Sequence, residues 1–235
     1  MAGHSKWKNI AHRKEKTDAQ RAKLFTKLSR EIVVTVRAGR SLDAVIAKAR
    51  AGNVPMENIQ RVIAKAAGGG DGAEYESVQY EGYGPNGVAV LVEAMTDNRN
   101  RTAGEVRHAF DKFGGNLGAP GSVGWMFDEK GILIIPADGL NEEDVMMAAL
   151  EAGASDFQAG DEVYEVTAEL GDFEAVRSAL EAAGYTFLNA QVERVPQTWV
   201  TLADDLHLKN MRRLLDMLED SDDVQNVWHN WENEL

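Results

Sequence analysis

The chain has 235 residues, 25 Lys plus Arg against 38 Asp plus Glu, a formal net charge of −13 and no cysteine. The missing thiols exclude disulfides, thiolate metal sites and cysteine nucleophiles. With no run of about 18 apolar residues, a transmembrane helix is excluded. The charged N-terminus is unlike a signal peptide, so a soluble, cytoplasmic protein is expected.

The charge is unevenly spread. Residues 1–67 hold 15 Lys plus Arg and 5 Asp plus Glu, or +10, whereas the remaining 168 residues hold 10 and 33, or −23. Such a split suggests a nucleic-acid-facing head on an acidic body.

Residues 3–16, GHSKWKNIAHRKEK, surround Trp7 with Lys6, Lys8, Arg13, Lys14 and Lys16 and offer little to bury, which predicts disorder until a partner is met. A helix is predicted from Asp18 to Ala38. Leu24, Phe25, Leu28, Ile32 and Val36 share one face, and Lys23, Lys27, Arg30 and Arg37 fall on the other, which is expected to stay positive. A second helix starts at the N-cap Ser41 and stops at Gly52. A third follows Pro55, and Gly68-Gly69-Gly70-Asp71-Gly72 then reads as a hinge.

Beyond the hinge, strand Val88 to Ala94, helix Thr102 to Phe113 and strand Val123 to Phe127 predict a βαβ unit. Next come strand Ile132 to Pro136, helix Glu142 to Ala152, a short strand near Ala154 to Ala159 and strand Val163 to Ala168. A helix capped by Asp172 and strand Tyr185 to Val195 complete a βαββαβ, or ferredoxin-like, order. Helix Asp204 to Leu218 and strand Val224 to Trp228 complete the earlier unit. The predicted fold class is α+β: a helical head over 1–72, then two α/β domains of ferredoxin-like character. One is built from 73–130 and 197–235, and the other, 131–196, is inserted in it.

Several motifs carry two readings. Trp7 either stacks on an unpaired base or tucks against the head. Gly82-Tyr83-Gly84-Pro85-Asn86-Gly87 satisfies G-x-G-x-x-G, but it precedes a strand instead of opening a helix, so a turn is expected and no dinucleotide site. In Asp97-Asn98-Arg99-Asn100-Arg101-Thr102 an Asp or Asn caps the helix, and Arg99 and Arg101 point outward as a second phosphate contact. Gly114, Gly115, Gly118, Gly121 and Gly124 form either a flexible loop, the simpler reading, or a backbone anion nest. His4 and His12 are spaced unlike a metal pair, and no metal or cofactor is expected.

The strings MAGHSKWKNIAHRK, YEGYGPNG (80–87), TDNRNRT (96–102), EVRHAF (105–110), GGNLG (114–118), ALEAGA (149–154) and LLDMLEDSDDVQNV (214–227) resemble the YebC/PmpR family through almost the whole chain. Its relatives include the mitochondrial translational activator of cytochrome oxidase. The resemblance implies three domains with a helical head first, and a role as a DNA-binding transcriptional regulator or as a ribosome-associated factor for sequences such as proline runs. Family members carry a polar loop between the first two head helices, whereas here Gly39-Arg40 runs directly into Ser41-Leu42.

No nucleophile elbow, Walker A loop or H-E-x-x-H is present, so no enzyme is expected. The leading reading is a regulator that binds ribosomal RNA through the head, with ribosomal proteins as further partners. The alternative is binding to duplex DNA, and a third reading has the acidic body binding a basic protein. No membrane partner is expected. The candidate contacts are Lys6, Trp7, Lys8, His12, Arg13, Lys14, Lys16, Arg21, Lys23, Lys27, Arg30 and Arg37 in the head, with Arg99 and Arg101 in the body. On this reading, reversing the charges of Lys23, Lys27 and Arg30 abolishes binding and leaves the fold intact.

Overall fold

The computed structural model describes residues 18–68 and 74–233. Among them, Phe127–Gln197 form one compact unit, and the described residues before 127 with those after 197 form the other.

The larger unit opens with three helices, α1 (Asp18–Arg37), α2 (Asp43–Ala51) and α3 (Met56–Ala67). Their apolar stripes meet in a core of Leu28, Ile32, Val45, Ala49 and Ile59, with Leu24, Val36, Ile46 and Ile63 packed around it. The short corner after α1 is a closed turn. Gly39 adopts φ +62, its N–H donates to the carbonyl of Val36, and the Arg40 N–H donates to that of Thr35. This pair of bonds satisfies the last carbonyls of α1 and needs the left-handed residue that glycine supplies without strain. The five residues 38–42 thus stand where the family's polar loop was expected. Ser41 precedes α2 and accepts from the Asp43 N–H at 3.3 Å. The helix stops at Gly52 as expected, with Gly52 as its C-cap and Asn53, at φ 57, in the left-handed position that follows.

The same unit then forms an antiparallel sheet in the order β3-β1-β2-β8, from β1 (Glu76–Tyr83), β2 (Ala89–Thr96), β3 (Asn116–Leu117) and β8 (Val224–His229). Helices α4 (Arg99–Lys112) and α7 (Asp205–Glu219) bury Val106, Phe110, Met211, Leu214 and Leu218 against Val88, Val90 and Val92 of the sheet. Two expectations are corrected. The strand expected at Val123 to Phe127 is absent up to Met126: a short 3-10 turn, Gly124–Met126, stands there, because the Val123 and Gly124 N–H groups donate to the Glu81 carboxylate instead of to a strand. The third strand is Asn116–Leu117, antiparallel to β1, so β2, α4 and β3 do not make a parallel βαβ unit. β1 was hidden in the sequence by its polar residues, and the order that it creates is not the ferredoxin-like one expected for this part of the body.

Gly82 to Gly87 is the β1–β2 hairpin, with Tyr83 opposite Ala89. Two of its glycines sit against close neighbours: a Cβ on Gly82 would lie 2.7 Å from the Asn116 carbonyl oxygen, and one on Gly84 would lie 2.8 Å from Met211 Sδ.

The smaller unit runs β4 (Phe127–Pro136), α5 (Glu142–Glu151), β5 (Asp156–Ala159), β6 (Val163–Glu169), α6 (Phe173–Ala182) and β7 (Asn189–Pro196). Its sheet order, β5-β6-β4-β7, is that of the split βαβ fold. Leu133, Ile135, Val145, Val166, Val176 and Leu180 make its core. β7 starts at Asn189 and not at Tyr185, whose N–H is used to close α6 on the Leu180 carbonyl.

Candidate nucleic-acid interface

Of the expected head contacts, Lys6, Trp7, Lys8, His12, Arg13, Lys14 and Lys16 lie outside the described residues. Arg21 lies on α1, and Arg37 is exposed at its last turn. The structure gathers Lys23, Lys27 and Arg30 on one face of α1, as their spacing requires, but that face is not open.

All three reach the C-terminal end of α7. Lys23 Nζ pairs with Asp220 Oδ1 at 2.7 Å, and Lys27 Nζ donates to the Glu219 carbonyl at 2.8 Å. Arg30 Nη1 donates to the Asp222 carbonyl at 2.7 Å and also pairs with the Asp223 carboxylate. The Arg30 guanidinium lies over the Tyr75 ring, 5.1 Å from its centroid. The last turn of α7 has no basic residue of its own. Cations from α1 therefore face the unsatisfied carbonyls and partial negative charge of that helix end. The expectation of an open positive face is corrected: all three cations are engaged by the end of α7.

Asp223 is the hub of this contact and is only 4 % exposed. Its Oδ1 takes Arg30. Its Oδ2 takes Arg101 Nη2 at 2.8 Å and Thr102 Oγ1 at 2.7 Å, with Thr96 Oγ1 at 3.2 Å. Burial pushes the Asp223 carboxyl up, but the hydrogen bonds from Arg101, Thr102 and Arg30, with the Arg30 charge, outweigh it and hold the group below its ordinary range. Hydrogen bonds to Asp223 and then Asp97 raise Arg101 further above the ordinary guanidinium value. Arg101 thus faces inward to Asp223 as well as to Asp97, against the outward placement expected. Arg99 lies 3.5 Å from Glu76 and is well exposed. The capping expectation is met by Asn98, whose side chain accepts from the Arg101 N–H at 3.0 Å.

The glycine-rich segment after α4 is an anion nest whose anion is internal. Glu81, 6 % exposed, accepts the N–H groups of Gly121 at 2.8 Å, Val123 at 2.8 Å and Gly124 at 2.7 Å. Gln79 Nε2 adds a fourth bond at 3.1 Å. Burial raises the Glu81 carboxyl, but the three backbone N–H groups and Gln79 overcome it, so the net shift is downward. The nest displays Trp125, 67 % exposed, with its indole N–H donating to the Ser122 carbonyl at 3.2 Å.

Sequence reasoning missed Glu219, Asp220, Asp223, Tyr75 and Glu81. The acidic run 219–223 was the available signal for the first three, since a helix end rich in carboxylates calls for cations. Nothing in the sequence marked Glu81 among so many carboxylates.

Two family models cover the chain: the TACO1/YebC N-terminal domain matches residues 5–69, and the TACO1/YebC second and third domain matches 75–231. The chain belongs to the TACO1/YebC family. A probable transcriptional regulatory protein of Acetivibrio thermocellus is 58% identical over 242 residues, covering 100% of both chains. One of the same description from Caldicellulosiruptor saccharolyticus is 54% identical over 242 residues, again covering 100% of both. A crystal structure of a conserved hypothetical protein from Aquifex aeolicus superposes with a TM-score of 0.83 at 44% identity, covering 92% of each chain. The TACO1/YebC assignment spans both the head helices and the two sheets. Among the described residues no helix is long and apolar enough to cross a membrane.

Proposed function

We propose that this TACO1/YebC chain is a nucleic-acid-binding regulator of gene expression, without catalytic chemistry, that engages phosphate backbones through its head and acts on translation as a ribosome-associated factor. The observation that carries the reading is the charge division, +10 over residues 1–67 against −23 for the rest. A positive surface attracts any phosphate backbone and repels basic partners. The head core leaves Lys23, Lys27 and Arg30 on the side away from its apolar stripe, so phosphate can be met without unfolding the head once those cations leave the end of α7. Ribosomal RNA as target draws on the resemblance to the mitochondrial translational activator.

The second reading, duplex DNA, is favoured by the description of the relatives as probable transcriptional regulatory proteins. Co-sedimentation with ribosomes and gel shifts of promoter duplexes, each across a salt series, decide between them. Retention by ribosomes without duplex shifts supports the translation reading; duplex shifts without ribosome retention replace it by the DNA reading. With about 6 to 10 phosphates engaged, affinity falls steeply as salt rises. A salt-independent interaction would refute backbone binding altogether.

A further inference from the structure

The most basic described helix face is covered by the protein's own acidic turn, and the chemistry of the cover resembles that of the expected ligand. Lys23, Lys27 and Arg30 meet carbonyl oxygens of Glu219, Asp220 and Asp222 and carboxylates of Asp220 and Asp223. A nucleic-acid backbone offers these cations the same thing, a line of anionic oxygens. We infer that the turn Glu219–Asp223 is a phosphate mimic, displaced when nucleic acid binds, so that the head alternates between a docked and a released state. The inference rests on the proposed function and concerns the regulation of that same site.

Four observations make the contact separable. First, the head and the sheet have their own cores, and the two clusters share no residue. Release of α1 therefore exposes charge and carbonyls more than apolar surface. Second, the outer pair is wet: the side chains of Lys23 and Asp220 are 41% and 77% exposed, a setting in which ion pairs are weak and screened by salt. Third, an open cleft of about 640 Å³ lies beside the contact, lined by Lys23, Arg30, Arg101, Asp220 and Asp223 among others. Ions and phosphate oxygens have a path to the cations while the head is still docked. Fourth, Asp223 does not depend on Arg30 alone. When Arg30 leaves, Oδ2 keeps Arg101, Thr102 and Thr96, and only Oδ1 turns to water. The body is left satisfied.

The cover also sets the apparent affinity. Only the released fraction presents all three cations to ligand, so the dissociation constant of the head for nucleic acid is raised by the inverse of that fraction. Weakening the cover should tighten binding without adding a single contact to the ligand.

The chain has no native cysteine, so two introduced thiols can carry a dye pair, one at Arg61→Cys on α3 and one at Arg213→Cys on α7, both exposed positions. Energy transfer between them reads docking, and the anisotropy of a fluorescein-labelled RNA hairpin or DNA duplex reads binding in the same sample. The expected result is that transfer falls as either probe saturates. In Asp220→Asn the transfer is lower before any probe is added, and the probe binds about three- to tenfold more tightly, as expected for a larger released fraction. The charge swap Lys23→Asp with Asp220→Lys restores high transfer. Saturation of the probe with unchanged transfer would overturn the mimic and leave the proposed function standing. Failure of every probe to change anisotropy would overturn both.

Discussion

Glu81→Gln tests how the glycine-rich loop is held, and its cost follows from counting acceptors. In the native protein Oε2 takes two backbone N–H groups, from Val123 and Gly124, and Oε1 takes Gly121 and Gln79. Glutamine keeps one oxygen and turns an –NH2 toward donors that need an acceptor. At least one enclosed N–H then loses its partner, at about 1 to 3 kcal/mol, and the surviving bonds fall from charge-assisted to neutral, at about 1 kcal/mol each. Because Gly121 and Gly124 are only partly buried, a total of about 2 to 4 kcal/mol is expected. Urea unfolding followed by tryptophan emission reads the effect, since four of the five tryptophans, Trp125, Trp199, Trp228 and Trp231, lie in the larger unit and Phe127–Gln197 contains none. A midpoint lower by about 1 to 2 M is expected for a urea slope near 2 kcal/mol/M. The pH dependence adds a second check. The folded carboxyl of Glu81 is held below its ordinary value. Its contribution is therefore complete above about pH 4.3 and is lost as pH falls through the lower, folded value. The gap between native protein and variant should close in that acid window. A gap under about 0.5 kcal/mol at neutral pH, or one that persists unchanged in acid, would refute the nest as a structural anchor.

Three further outcomes are expected. Asp223→Asn removes the shared partner of Arg30 and Arg101 and should cost about 3 kcal/mol in the same tryptophan-read unfolding, whereas Lys23→Ala at the exposed pair should cost under about 1 kcal/mol. Gly131→Ala would place a Cβ 2.2 Å from the Phe173 ring, and a loss of about 1 to 3 kcal/mol should appear by circular dichroism as earlier melting of the smaller unit, with the tryptophan signal unmoved. Asn53, at φ 57, should tolerate glycine and lose about 1 to 2 kcal/mol on replacement by alanine, read as a lower midpoint in thermal unfolding of the larger unit.

Local signals carried much of the architecture. The 3.6-residue stripe of Leu24, Leu28 and Ile32 set α1, the side chains of Asn98, Asn141 and Asp204 cap their helices as their positions implied, and the alternation of elements from Ile132 onward matched the observed strand order. Each of these depends on a residue and its near neighbours, which is why the sequence alone determines them. The strand β1 escaped because its polar side chains mask the period-two pattern, and Val123 to Phe127 looked like a strand because its apolar residues do not reveal that a carboxylate 42 positions away takes the Val123 N–H.

The basic face of α1 shows the same division most clearly. Periodicity determined that Lys23, Lys27 and Arg30 share one side of a helix opposite an apolar stripe. What that side meets was decided only by the tertiary structure, which brings Asp220 to Lys23 across 197 positions and Asp223 to Arg30 across 193. Charges attract without regard to chain distance, and a helix end short of cations accepts whichever ones the fold delivers.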